Sequence, residues 1–243
     1  MKEIKVESFS HFIQKIENNC SSDDFLFRGQ NNDWPLRPKL GRLVEDGLIR
    51  DKSIKIEKLE IKLLETFKRF AKPHINELPQ NQFQLLALAQ HHGLPTRLLD
   101  WTSSPLVALW FTVEKPCEND YGVVWAFEPI KDGYLNNAME DVELSSIDKT
   151  IIFQPELISP RIISQNGWFS VHAFNESKDN FTRFDKIKRY KDLLIKFTID
   201  KSLFKDIRHS LDRCGINQST MYPGIDGVAG YSSWNHTLLK DES

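Results

Sequence analysis

The sequence predicts an α+β fold: a single domain over residues 1–243, with a mixed or antiparallel sheet at its core and helices toward the N-terminus. Three observations point there. Apolar residues recur at helical spacing through the first half of the chain. Short β-rich runs fall mostly in the second half. The two kinds do not alternate as a doubly wound α/β sheet requires. With 40% hydrophobic residues, including 16 Phe and 6 Trp, the chain has enough apolar surface for a sizeable core.

Phe9, Phe12, Ile13 and Ile16 share one helical face, so residues 8–19 read as an amphipathic helix. Phe25-Leu26-Phe27 reads as a strand ending at Arg28-Gly29. Residues 31–40 hold Asn-Asn-Asp and two prolines and read as a loop. Ile56, Leu59, Leu63, Phe67 and Phe70 mark a long helix that Pro73 ends. A second helix runs from Asn81 to His91, with Gly93 suited to its C′ position. Ser104-Pro105 opens a third as N-cap and N1, continued by Val107, Ala108 and Phe111. Residues 122–127, 151–153, 168–172 and 193–199 read as strands. Leu203, Ile207 and Leu211 mark a late helix closed by Gly215.

The net charge of −2 gives no global attraction to nucleic acid or anionic membrane. No run approaches the ~20 apolar residues of a membrane span. The opening Met-Lys-Glu-Ile-Lys lacks an apolar signal core. Cys20, Cys117 and Cys214 are widely spaced, without metal-type spacing, and read as packing residues in a reduced, cytoplasmic setting. The sequence contains no P-loop, GxGxxG, HExxH or GxSxG motif, and no metal site is expected.

Chemistry concentrates in four runs. Arg28, at a strand end, is placed to hold a phosphate or carboxylate through its planar fork, and Gly29 lets a ligand approach the backbone. The alternative is a structural arginine beside an acidic neighbour, with a turn glycine. The run Gln90 to Ser104 packs His91, Arg97, Asp100, Trp101, Thr102 and Ser103 between two helices. These are residue types for proton transfer and anion holding. Within it Asp100 can instead cap a turn, Ser104 the helix, and Leu98 and Leu99 belong to the core. A third run, Arg161, Gln165, Gly167, Trp168, Phe169, Ser170 and His172, either walls a pocket or forms ordinary sheet faces. In the fourth, Tyr222-Pro223-Gly224-Ile225-Asp226-Gly227, two glycines around Asp226 read as a sharp, exposed turn.

Phe27-Arg28-Gly29-Gln30, then His91 through Thr102, then the helix through Ala108 and Phe111, resemble the FRG domain. The runs Arg161–Phe169 and Tyr222–Gly227 extend the resemblance over about residues 24–230. The aromatic-Arg-Gly strand also resembles that of ADP-ribosyltransferases of the Arg-Ser-Glu type. Trp101-Thr102-Ser103-Ser104, followed by Ala108 and Phe111, resembles their Ser-Thr-Ser strand and the helix after it. That second resemblance implies an ADP-ribosyltransferase-like fold and NAD as substrate. Arg28, Gly29, Gln30, Arg97, Trp101, Ser103, Gln165 and Phe169 would bind NAD, with Trp101, Trp168 or Phe169 as the aromatic wall. His91, Asp100, Thr102 and Asp226 would supply the chemistry. The sequence departs from that family in having no Glu-x-Glu near its end, which leaves the catalytic acid unassigned. Expected partners are a protein or nucleic-acid acceptor and a neutralising protein, as in a bacterial toxin or phage-defence effector. The alternative is a module that binds a nucleotide, nucleic acid or protein without turnover.

Overall fold

The computed structural model describes residues 1–75, 77–135, 142–156 and 160–242. The chain opens with β1 (Lys2–Val6), α1 (Phe9–Asn19), β2 (Leu26–Gln30), α2 (Lys39–Glu45), α3 (Ile56–Ala71) and α4 (Gln82–His91). It continues through β3 (Leu98–Thr102), α5 (Pro105–Val113), β4 (Tyr121–Phe127), β5 (Ile151–Phe153), α6 (Pro160–Ser164) and β6 (Gly167–Val171). The last part holds the short β7 (Phe174–Asn175) and β8 (Asn180–Phe181), then α7 (Lys188–Lys191), β9 (Ile195–Asp200), α8 (Phe204–Arg213), α9 (Gln218–Met221) and α10 (Ile225–Trp234).

Seven strands form one sheet in the order β1-β9-β4-β2-β3-β6-β5. Only β1 and β9 pair in parallel, and the other neighbours are antiparallel. The fold is α+β, as the sequence predicts. No helix among the described residues is long and apolar enough to cross a membrane.

Strand alternation sorts the core. Phe27, Val124, Ala126 and Phe197 face α1, α5 and α8, which bring Phe12, Ala108 and Ile207. Leu26, Val123, Trp125 and Phe127 turn the other way, toward Phe184, Tyr190 and Leu194. Across the β3–β6–β5 half, Leu98, Phe169 and Phe153 pack against Phe83 and Leu86 of α4.

Several elements depart from the sequence reading. β1 alternates charged and apolar residues on a sheet edge, so only Val6 is buried, and its pattern is too polar to stand out. The loop from residue 31 ends at Pro38, where α2 begins. The turn expected around Asp226 is confined to Tyr222–Gly224. Gly224 adopts φ +137° and α10 starts directly after it, so Asp226 lies in a helical first turn.

Gly29 marks where α5 lies on β2. A Cβ there would sit 1.8 Å from the Ala108 carbonyl oxygen. The close approach that the missing side chain permits is therefore that of a helix backbone. Gly29→Ala is expected to cost at least about 1–3 kcal/mol, because the obstacle is backbone and cannot rotate aside. Thermal melting beside wild type measures the loss, and an unchanged midpoint would refute this packing role.

Candidate functional site

β2 and β3 meet at a single registered pair, Phe27 opposite Thr102. β3 is otherwise zipped to β6 over five residues, and β2 to β4 over five. The two halves of the sheet therefore part beyond Phe27, and a cleft of about 320 Å³ opens there. Arg28 bridges the gap. Its guanidinium donates to the Asp100 carbonyl at 2.7 Å and lies 3.5 Å from Asp100 Oδ2. Its Nε is buried with no partner. Burial pulls the Arg28 pKa down. Asp100 opposes that shift and nearby Arg42 adds to it.

Asp100 points into the cleft from the same face of β3 as Leu98 and Thr102, and its side chain is exposed. Gln90, at the end of α4, donates to its Oδ1 at 2.7 Å. Gln90 in turn accepts the Thr96 hydroxyl, which fixes its amide, while Arg28 holds Asp100 from the other side. His91 completes this wall. Burial, Arg161 and His92 lower its pKa, which keeps the imidazole neutral at pH 7. Phe111 of α5 and Phe169 of β6 supply apolar surface.

The cleft is cationic although the chain is not. Lys39 and Arg42 of α2 and Arg161 of α6 join Arg28 in lining it, against Asp100 as the one carboxylate among the described lining residues. Lys39 donates to the Gly93 carbonyl at 3.2 Å. Arg161 stacks 4.6 Å over the Tyr222 ring. Sequence reading missed Lys39 and Arg42. Their i, i+3 spacing places them on one face of a helix, but only once that helix is recognised.

Arg28, Gly29, His91, Asp100, Thr102, Gln165 and Phe169 all line the cleft. Thr102 also accepts the Ser104 backbone N–H at 3.0 Å. Gln165 donates to the Met221 carbonyl at 3.0 Å, which ties the late Tyr222 region to the rim. The other five predicted residues are placed differently. Arg97 is buried against Glu60, 2.6 Å away, with a further bond to the Leu144 carbonyl. Trp101 belongs to the cleft floor, but its indole turns to the opposite sheet face, 4.6 Å from Phe127 and 5.1 Å from Phe184. It is core and not a wall. Ser103 is exposed outside the cleft, and Asp226 is exposed on α10. Gln30 lines an adjoining groove. Among the described residues, no three His, Cys, Asp or Glu side chains are placed to hold a metal ion.

Beneath the site runs a buried relay. Trp101 Nε1 donates to Ser170 Oγ at 2.9 Å, and Ser170 Oγ lies 3.0 Å from His172 Nε2. His172 Nδ1 lies 3.1 Å from the Thr182 carbonyl. A carbonyl only accepts, so Nδ1 carries the proton, Nε2 accepts, and Ser170 donates to it. Burial depresses the His172 pKa to about 4. The folded value lies below the unfolded one, so the unfolded chain binds more protons between them. Stability is complete above about pH 6.5 and declines as pH falls toward 4, by up to about 3 kcal/mol from this group. His172→Gln should melt with a shallower pH dependence over that window. Equal slopes would show that other groups control it.

Residues 23–121 match the family model of the FRG domain. No curated protein and no solved structure matches the chain.

Proposed function

Because this chain carries an FRG domain in which Arg28 spans a split sheet, we propose that the cleft binds NAD and catalyses ADP-ribosyl transfer to a protein or nucleic-acid acceptor. The observation that carries the reading is the charge balance. Among the described lining residues Arg28, Lys39, Arg42 and Arg161 stand against one carboxylate, and the Arg28 Nε is buried without a partner. Such an arrangement favours a doubly charged pyrophosphate held by planar guanidinium groups.

The remaining groups suit the chemistry. Cleaving the nicotinamide–ribose bond sends the bonding electrons to nicotinamide and leaves oxocarbenium character on the ribose. Asp100, oriented by Gln90, supplies a carboxylate against that charge. Phe111 and Phe169 offer apolar surface for the departing ring. Neutral His91 is a base for the proton that the acceptor nucleophile releases.

Isothermal titration with NAD, beside a time course of nicotinamide release, tests the proposal. Binding with release supports it. Absence of NAD binding at millimolar ligand would end it. One observation favours a second reading, a nucleotide-binding module without turnover: Gln90 and Arg28 each engage an oxygen of Asp100. Tight NAD binding with no nicotinamide release would select that reading.

A further inference from the structure

A second groove, of about 380 Å³, adjoins the cleft and shares Arg28, Gly29, Arg42 and Phe111 with it. Away from the shared cations its lining changes character. Gln30, Asn31, Asn32 and Trp34 line the rest of it, with Lys115 and the carboxylates of Glu114 and Glu118. Trp34 is 43% exposed, a large aromatic surface left open in otherwise polar surroundings. Gln30 is only 4% exposed, and its amide is fixed in direction because Nε2 donates to the Trp34 carbonyl at 3.2 Å. The Gln30 Oε1 is then a buried acceptor with no donor. The neighbouring amides are already committed. Asn31 donates to the Pro116 carbonyl, and Asn32 donates to Asn31.

A buried acceptor without a partner is costly, and a ligand that donates to it recovers that cost. An open aromatic face beside it suits a planar ring, and the two shared arginines suit a phosphate. Taking Arg28 as the phosphate anchor, as the proposed function does, we infer that this groove is a nucleobase subsite. It selects a base with an exocyclic amino group: Trp34 stacks on the ring and Gln30 Oε1 accepts from the amine. The diphosphate lies across Arg28 and Arg42, where the groove meets the cleft.

The test uses ADP, IDP and inorganic pyrophosphate with the full chain, by isothermal titration. ADP should bind about fivefold to tenfold more tightly than IDP, which presents a carbonyl where ADP presents the amine. Trp34→Ala should weaken ADP at least about fivefold, the value of one stacked base, and leave pyrophosphate unchanged. Gln30→Met should bring ADP and IDP to equal affinity. Because Gln30 is buried, the surface variant at Trp34 decides the matter if the methionine variant does not fold. Equal affinities for ADP and IDP in wild type would overturn the inference. So would an unchanged ADP affinity in Trp34→Ala, or no binding of ADP at millimolar concentration. The expected ADP pattern without any nicotinamide release from NAD would support the subsite while rejecting the transferase reading, so the two fail separately.

Discussion

Arg28→Lys should weaken NAD binding by about tenfold to a hundredfold, the equivalent of about 1.5–3 kcal/mol for a charge-assisted hydrogen bond. Lysine keeps the positive charge but loses the planar fork. It can bond to the Asp100 carbonyl, as Arg28 does at 2.7 Å, or turn to a phosphate, but it cannot present two parallel donors. The fold should survive, because the guanidinium spans the gap between β2 and β3 and is not packed in an apolar layer. The melting midpoint should move by no more than about 4 °C, the shift that 1 kcal/mol produces in a domain of this size. Asp100→Asn is the companion measurement. If the carboxylate acts on developing positive charge, nicotinamide release falls while NAD affinity barely changes. If Asp100 serves only to hold Arg28, affinity and melting fall together. An Arg28→Lys protein that binds NAD like wild type would remove the guanidinium from the site.

Arg97→Met should destabilise the protein by about 3–5 kcal/mol, because it strands Glu60 as an unpaired buried charge. Both side chains are 2% exposed, and Glu60 also accepts the Arg97 backbone N–H at 3.0 Å. Replacing the pair together, as Glu60→Met with Arg97→Met, should recover a large part of the loss. Urea denaturation of the three proteins measures this. NAD affinity of the folded Arg97→Met protein should equal that of wild type, since Arg97 faces α3 and not the cleft. Loss of affinity without loss of stability would return Arg97 to the ligand site.

The two arginines illustrate what a sequence can and cannot assign. By itself the sequence determined the class of fold and most elements, because helical and strand periodicities are local. The face pattern of Ile56–Phe70, the Ser104-Pro105 cap and the β-rich residues 122–127 each became the expected element. It also brought together the residue types of the cleft, since Arg28, His91, Asp100 and Gln165 stood in polar runs flanked by apolar elements. Reading Gln90 to Ser104 as a polar run between two helices hid β3 within it. Strand alternation along β3 sends Asp100 and Thr102 to the cleft and Trp101 to the opposite face. Only the tertiary structure decided that Arg28 meets an open sheet edge while Arg97 meets a buried glutamate. Both are arginines beside aromatic and acidic residues, and their partners lie 72 and 37 positions away. Charge pairing across such distances depends on which strands part and which helix covers them, and no local pattern records that. The same holds for Lys39 and Arg42, which line the site only because α2 lies across the mouth of the split sheet.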